Sequence, residues 1–211
     1  MSRIPVAVLV SGSGSNLQAL LDACAQPDHP ARIAVVLCNR PRARAIQRAE
    51  RAGVPVVVLP HRRYDGRQAY DQALVDALAP FAPAWVACAG FMRVLGPTFV
   101  RAYAGRILNI HPSLLPSFPG LHAHQQAIDA GGRVSGCTVH LVDEGVDTGP
   151  ILAQAVVPVL AHDTADSLGA RVLKMEHRVY PEVLRWAARG RIQSDGTVTP
   201  TPTQAWGVEE V

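Results

Sequence analysis

The chain has 211 residues, of which 48% are hydrophobic and 18% are charged, and its formal net charge is +3. A chain of this length can bury one sizeable core, and this composition excludes an intrinsically disordered protein. No apolar run approaches the ~18 residues that a membrane-spanning helix needs. Residues 4–10 lack the charged start and the cleavage site of a secretory signal. We therefore expect a cytoplasmic protein without a membrane partner.

The cysteines and the basic residues exclude further classes. Basic residues cluster at 40–51 and 61–67. In the first cluster Arg44, Arg48 and Arg51 follow helical spacing without interleaved aromatic residues, which favours a solvated helix face over a nucleic-acid surface. Mild basicity still suits a small anionic ligand. The four cysteines contain no CxxC pair, which favours small buried thiols over a zinc ribbon or a redox pair; they are Cys24, Cys38, Cys88 and Cys137.

Short apolar runs alternate with helical patterns through the first half of the chain. Runs that are apolar at every position are typical of parallel strands that helices cover on both faces, and the alternation predicts βαβ units. In chain order the predicted strands are residues 6–10, 32–38, 54–59, 84–90 and 106–111. A helix follows each of the first three strands, and a short helix near 96–103 precedes the last one.

Beyond residue 120 the pattern changes. A helix at about 122–131 precedes two apolar segments, 135–142 and 149–159, which we interpret as a strand pair joined by a loop. A long helix follows, from about Thr164 to Arg189.

The predicted long helix is preceded by residues that favour a helix start, and it contains one residue that disfavours a continuous helix. Asp163 or Thr164 is suited to cap its first turn. Pro181 is expected to kink or divide it. The segment 194–211 is polar and contains prolines, so we expect it to be loosely packed.

These elements predict the α/β class: an open, mostly parallel twisted sheet with helices on both faces, of the Rossmann-like kind. A C-terminal antiparallel strand pair and a long helix extend it. In such sheets ligands bind beyond the carboxyl ends of the strands. Three predicted strand ends carry polar residues, and these are the candidate functional segments.

The first candidate segment is SGSGSNL, residues 11–17, between the first strand and its helix. Glycines let the backbone approach a ligand, and free helix N–H groups attract a phosphate. A dinucleotide is not expected, because Leu17 replaces the third glycine of GxGxxG and the second strand ends in Asn39 and Arg40 rather than in an acid. The alternative is a tight turn that needs glycine for its geometry alone.

The second candidate segment is LNIHPSLLPSFPG, residues 108–120. Residues two apart on a strand point to the same side, so Asn109 and His111 face together. An amide beside an imidazole can hold an oxyanion and move a proton. The prolines that follow would fix the histidine in place. The alternative is a histidine that is merely hydrogen-bonded at a strand end.

The third candidate segment is DEGVDTGP, residues 143–150, where acidic residues cluster on a loop after a strand. A carboxylate near His111 would favour and orient the imidazolium form. The alternative is a solvated acidic turn.

One acidic residue lies on or beside the apolar face of the long helix. Glu176 follows Val172 by four residues, and glutamates are rarely buried without a partner. Either an arginine pairs with it, or a ligand supplies a cation. An ordinary position at the rim of the core is the alternative.

The sequence motifs that would indicate a metal site or a serine hydrolase are weaker. His122 and His124 form an HxH motif, but no HExxH occurs, and we expect no metal. Ser113 lacks the GxSxG environment of a hydrolase nucleophile.

The combination of motifs resembles one family. SGSGSNLQAL, AGFMRVLGPTFV, ILNIHPSLLPSFPGLHAHQQAI and DEGVDTGPILAQ stand in the order and spacing typical of the phosphoribosylglycinamide formyltransferases. The resemblance covers roughly residues 4–190. It implies a transferase of purine biosynthesis and one-carbon metabolism. Such an enzyme moves the formyl group of 10-formyltetrahydrofolate to the amine of glycinamide ribonucleotide, by direct transfer through a tetrahedral intermediate.

The resemblance also implies roles for individual residues. By similarity, Asn109, His111 and Asp147 are catalytic. The residues implied for the ribonucleotide are Gly12, Gly14, Ser15, Asn16, Pro112 and Glu176. Those implied for the folate are Arg67, Met92, Arg93, Val94, Leu95, Asn109, Asp143, Glu144, Gly145 and Asp147. Some members carry a basic residue three positions before the helix glutamate; here that residue is Leu173, with Lys174 beside it.

Other activities share part of this pattern. A formyltetrahydrofolate hydrolase would direct the same residues at water, and its relatives usually carry a preceding regulatory domain. A transfer-RNA formyltransferase would need a further C-terminal domain of about a hundred residues, a typical domain size. A non-catalytic nucleotide-binding module would use SGSGSNL alone.

The resemblance further implies the organisation of the chain. We expect one formyltransferase domain at 1–190, with a phosphate-binding half at about 1–105 and a folate-binding and catalytic half at about 106–190, followed by a tail at 191–211. The expected partners are the two small-molecule substrates, without nucleic acid, in a monomer or a homodimer.

Overall fold

A computed structural model describes residues 2–200. Its seven-stranded sheet has the order β3-β2-β1-β4-β5-β6-β7. The first five strands pair in parallel, whereas β6 and β7 pair antiparallel at one edge. The predicted fold class is confirmed. The strands are β1 Ile4–Val10, β2 Ala31–Cys38, β3 Val56–Val58, β4 Trp85–Cys88, β5 Ile107–His111, β6 Val134–Leu141 and β7 Ile151–Pro158.

The helices occupy the predicted places between the strands. They are α1 Ser15–Ala25, α2 Arg44–Arg51, α3 Gly66–Leu78, α4 Pro97–Ala102, α5 Ala123–Asp129 and α6 Ala165–Ala188. Two short 3-10 turns, His61–Arg63 and Ala79–Phe81, flank α3. Within residues 2–200, none of the helices has the length and apolar character that crossing a bilayer requires.

Each face of the sheet has its own core. Alternate residues of β1 enter opposite cores: Val6 and Val8 pack with α1 and α6, whereas Ala7 and Leu9 pack with α3 and α4. Because both faces are covered, every residue from 6 to 10 is fully buried. This is the physical reason that the strand shows no alternation of polar and apolar residues.

Helix α6 starts as predicted but is not divided. Thr164 is its N-cap and forms a capping box with Ser167. Of the two expected effects of Pro181, a kink or a division of the helix, division does not occur, because a single helix continues through it to Ala188. The residue before the proline is anchored to the sheet: the hydroxyl of Tyr180 donates to the carbonyl oxygens of Cys88 and Leu108.

The end of the described chain is hydrogen-bonded. Ile192 forms a β-bridge with Val198, and the side chain of Arg191 donates to the carbonyl oxygen of Pro200. The expectation of loose packing also covered residues 201–211, which lie outside the described residues.

Candidate active site

A cavity of about 480 Å³ opens at the carboxyl edge of the sheet, beyond β4 and β5. Its walls come from the segment after β4, the end of β5, the turn that follows β5, and the loop after β6. Parallel strands end at a common edge, so residues that are distant in the chain meet there. All three catalytic candidates, Asn109, His111 and Asp147, line this cavity.

His111 lies between two acceptors. Its Nδ1 lies 3.3 Å from Asp147 Oδ2, and its Nε2 lies 3.0 Å from the carbonyl oxygen of Phe118. The two side chains are 6% and 13% exposed, so water screens the pair little. A neutral imidazole has one N–H, whereas imidazolium has two. Only the cationic ring therefore carries an N–H on both of the nitrogens that face these acceptors.

The proline-containing turn after β5 is pinned to β6. Thr138 Oγ1 donates to the carbonyl oxygen of Ser113 and accepts from the backbone N–H of Leu115. The Ser113 hydroxyl itself donates to the carbonyl oxygens of Ser117 and Phe118. These bonds hold the Phe118 carbonyl against His111. They also engage the Ser113 hydroxyl in the turn rather than in the cavity.

Asp147 is held by its backbone conformation and by a neighbouring turn. Its φ is +55°, a left-handed conformation that aspartate and asparagine tolerate better than most residues. Its Oδ2 accepts a hydrogen bond of 2.9 Å from the Gly120 N–H. Asp143 closes the start of the same loop by accepting from Gly145 N–H and from the Thr148 hydroxyl. The acidic loop is therefore an ordered structure directed at His111.

His140 is a fourth polar residue of the site, outside the three catalytic residues that the family resemblance implies. It is the cross-strand partner of Asn109 in the antiparallel β5–β6 pair. Its Nδ1 donates to the carbonyl oxygen of Leu141, so Nε2 of the neutral ring accepts from Asn109 Nδ2 at 3.1 Å. Burial lowers the pKa of His140, which favours this neutral form. The contact depends on the register between β5 and β6, which local sequence patterns do not specify.

The glycine-rich loop after β1 meets α6 through Asn16 and Glu176. Asn16 Nδ2 donates to Glu176 Oε2 at 2.6 Å, and Asn16 Oδ1 has no partner among the described residues. Glu176 is 7% exposed, and burial raises its pKa, opposed by the Asn16 hydrogen bond and by the charge of His111. Among residues 2–200 the partner of Glu176 is therefore an amide and not an arginine.

The basic face of α2 is not fully solvated, contrary to the expectation from its spacing. Arg48 Nε donates to the carbonyl oxygen of Ser13, and its guanidinium also donates to Gln18 Oε1. The reason is that α2 packs against the loop: a Cβ added to Gly14, whose φ is +73°, would lie 2.8 Å from Ala45. Arg48 thus holds the glycine-rich loop in place by a hydrogen bond to its backbone.

The residues implied for the folate are divided between the cavity and its surroundings. Two of them, Glu144 and Arg67, do not line the cavity. Glu144 forms an ion pair of 2.8 Å with Arg101 on the surface, and Arg67 packs beside Gly96. The implied residues that line the cavity are Met92, Arg93, Val94, Leu95, Asn109, Asp143, Gly145 and Asp147. From the ribonucleotide set, Pro112 lines it as well.

The HxH motif does not present its two rings to one point. His122 lines the cavity, whereas the ring of His124 packs beside Gly169 of α6. Within residues 2–200, no three His, Cys, Asp or Glu side chains cluster as metal ligands would.

Similarity to known proteins agrees with this geometry. The sequence profile described as formyl transferase matches residues 4–184. A phosphoribosylglycinamide formyltransferase of Escherichia coli is 46% identical over 188 residues, which cover 89% of each chain. A trifunctional purine biosynthetic protein of Bos taurus is 47% identical over 89% of this chain, which spans only 19% of that protein's length.

The solved structures that resemble this chain include formyltransferases as well. A glycinamide ribonucleotide transformylase from Symbiobacterium toebii superposes with a TM-score of 0.89, at 49% identity and with 90% of each chain covered. A phosphoribosylglycinamide formyltransferase from Brucella melitensis has a TM-score of 0.85 at 48% identity, covering 91% of this chain and 99% of that one. The similarity extends over the fold and all segments that form the cavity, and the chain belongs to the formyl transferase family.

Proposed function

We propose that this enzyme transfers the formyl group of 10-formyltetrahydrofolate to the amine of glycinamide ribonucleotide, a step of purine biosynthesis. The observation that carries the proposal is the convergence of Asn109, His111 and Asp147 on one cavity. Similarity to phosphoribosylglycinamide formyltransferases over 89% of both chains supports the choice of substrates.

The two substrates would approach the three residues from different sides. The folate would occupy the cavity between the Met92–Leu95 segment and the loop at 143–147, where apolar side chains can cover a flat ring. The ribonucleotide phosphate would lie on the glycine-rich loop at the start of α1. Its amine would reach Glu176 and the unpartnered Asn16 Oδ1, because both are acceptors and the amine is a donor.

The chemistry follows from these positions. The lone pair of the substrate amine forms a bond to the formyl carbon, and the carbonyl electrons move to its oxygen. The Asn109 amide has a second N–H beyond the one donated to His140, and with cationic His111 it stabilises the oxyanion. Collapse of the intermediate breaks the bond to the folate nitrogen, which receives a proton by way of His111. The attacking amine loses one proton, so the overall transfer is balanced.

Asp147 maintains the charge of this site. Its carboxylate faces His111 Nδ1 and stabilises the imidazolium that the mechanism needs. The Phe118 carbonyl holds the opposite ring nitrogen. His111 therefore donates to the reacting groups only when one of these two contacts is exchanged for a substrate contact.

The proposal is tested by measuring release of tetrahydrofolate from 10-formyltetrahydrofolate with and without glycinamide ribonucleotide. Release that depends on the ribonucleotide, together with formation of the formylated ribonucleotide, is the expected result. Equal release in its absence would indicate a hydrolase, and no release under either condition would indicate a non-catalytic binding module.

The organisation of the chain and its partners belong to the same proposal. We expect a single catalytic domain at 1–190 with its phosphate-binding half at about 1–105, acting in the cytoplasm on small molecules as a monomer or a homodimer. Sedimentation of the purified chain measures the oligomeric state.

A further inference from the structure

A second cavity lies at the carboxyl ends of β2 and β3, and it shares no lining residue with the first one. Its volume is about 480 Å³, within the usual range of small-molecule sites. It is lined by Asn39, Arg40, Pro41, Pro60, His61 and Arg62. Nothing in the proposed formyl transfer uses these residues.

Two residues that line this cavity have buried polar atoms without partners among the described residues. Asn39 is 2% exposed, and its Oδ1 has no hydrogen bond among the described residues. Nδ1 of His61 is likewise buried and unpaired. Buried polar groups are normally hydrogen-bonded, so an unpaired amide that lines a cavity points to a donor supplied by a ligand.

The backbone of Asn39 and the ring of His61 are held by neighbouring residues. The backbone N–H of Asn39 bonds the carbonyl oxygen of Val10, and the His61 ring packs edge-on against Tyr70 with 6.2 Å between centroids. The Tyr70 hydroxyl donates to the carbonyl oxygen of Leu59. The His61 side of the cavity is thus pre-formed.

Positive charge is available around the same cavity. Arg40 and Arg62 are exposed, and within residues 2–200 neither forms an ion pair or a hydrogen bond through its side chain. Guanidinium groups bind phosphate through paired, charge-assisted hydrogen bonds. Pro41 and Pro60 add apolar surface, against which a flat ring can pack.

From this arrangement we infer that the second cavity binds a purine nucleoside monophosphate that carries an exocyclic amino group. The arginines bind the phosphate, the prolines contact the base, and Asn39 pairs with the amino edge of the base, as asparagine does with adenine. The lining of this cavity contains no residue of the glycine-rich loop, although β1 and β2 end side by side.

Calorimetric titration of the full chain with adenosine 5′-monophosphate tests this inference. The wild type is expected to bind it with a dissociation constant below about 1 mM, and the double variant Arg40→Ala/Arg62→Ala is expected to bind at least about tenfold more weakly. The control variant Arg44→Ala/Arg63→Ala loses the same charge from exposed residues outside the lining and should change affinity less than about twofold. Inosine 5′-monophosphate, which lacks the amino group, should bind more weakly than adenosine 5′-monophosphate.

The outcomes separate this cavity from the catalytic one. Arg40→Ala/Arg62→Ala should keep wild-type formyl transfer, since neither residue lines the catalytic cavity. Unchanged affinity of that variant for the nucleotide, or competition of glycinamide ribonucleotide for the same binding event, would overturn the inference. So would inorganic phosphate that binds as tightly as the nucleotide, because the site would then recognise only an anion.

Discussion

Asp147 Oδ2 lies 3.3 Å from His111 Nδ1 and also accepts a hydrogen bond from the Gly120 N–H. One carboxylate oxygen therefore links the loop after β6 to both ends of the turn that follows β5. The orientation of the imidazole and the closure of this turn depend on the same acidic side chain.

Asp147→Asn is predicted to lower kcat by at least about 100-fold, because His111 would no longer be held as a cationic donor to the oxyanion. A loss of this size is typical when one oxyanion donor is removed. The amide keeps an oxygen for Gly120 and tolerates the positive φ, but it has no charge to stabilise the imidazolium. Initial rates and thermal unfolding of the variant measure the two effects. Wild-type turnover would contradict the role, whereas an unchanged melting temperature would confirm that the loss is chemical.

Glu176→Gln is predicted to raise stability while it weakens catalysis. Burial raises the pKa of Glu176, so at pH values between its unfolded and folded pKa the folded state holds a proton that the unfolded state has released. The stability of the wild type therefore falls as pH rises from about 4.3, the ordinary glutamate value, through the raised folded pKa. Glutamine retains an oxygen that can accept from Asn16. It does not ionise, so the variant does not lose stability as the pH rises through this range.

Urea unfolding at pH 4 and pH 8 measures this linkage. The variant should be the more stable protein at pH 8, with the difference shrinking toward pH 4. Its kcat/KM for the ribonucleotide should fall about tenfold or more, because an oxygen that can accept from the substrate amine becomes an amide donor. Lower stability than the wild type at pH 8 would contradict the effect of burial.

Gly12→Ala and Gly14→Ala form a matched pair in the glycine-rich loop. An added Cβ at Gly12 meets no atom within 4 Å, whereas at Gly14 it collides with Ala45 in a left-handed backbone conformation. Gly14→Ala should cost about 1–3 kcal/mol from conformation alone, and Gly12→Ala less than about 0.5 kcal/mol. A raised KM for the ribonucleotide in stable Gly12→Ala would report close approach of the phosphate. An unchanged KM would place the phosphate elsewhere.

His140→Gln and His140→Leu separate positioning of Asn109 from simple packing. The glutamine oxygen can replace Nε2 as the acceptor for Asn109 Nδ2, whereas leucine removes the acceptor. We expect the leucine variant to lose about tenfold or more in kcat and the glutamine variant to retain most of it. Equal losses in two folded variants would show that the hydrogen bond to Asn109 does not matter.

The alternation of elements was predictable because it reflects burial along the chain. The first five strands are apolar at nearly every position since helices cover both faces of the sheet, as at residues 6–10. That Asn109 and His111 line the same cavity was also predictable, because residues two apart on a strand point to the same side. Pro181 does not divide α6, whose neighbouring residue Tyr180 is fully buried and hydrogen-bonded to the sheet, and a local helix-breaking preference does not include such tertiary contacts.

Contacts between distant segments were not predictable from local patterns. Asn16 and Glu176 are separated by 160 positions, yet their side chains bond at 2.6 Å. The pairing of Asn109 with His140 depends on the register of β5 against β6, and the contact of Arg48 with Ser13 depends on how α2 packs. The sequence by itself determined the class of fold, the candidate residues and the family, since these follow from residue type, spacing and motif order. Only the tertiary structure decided which acceptor faces each donor, because hydrogen-bond partners are set by distances that arise when the sheet assembles.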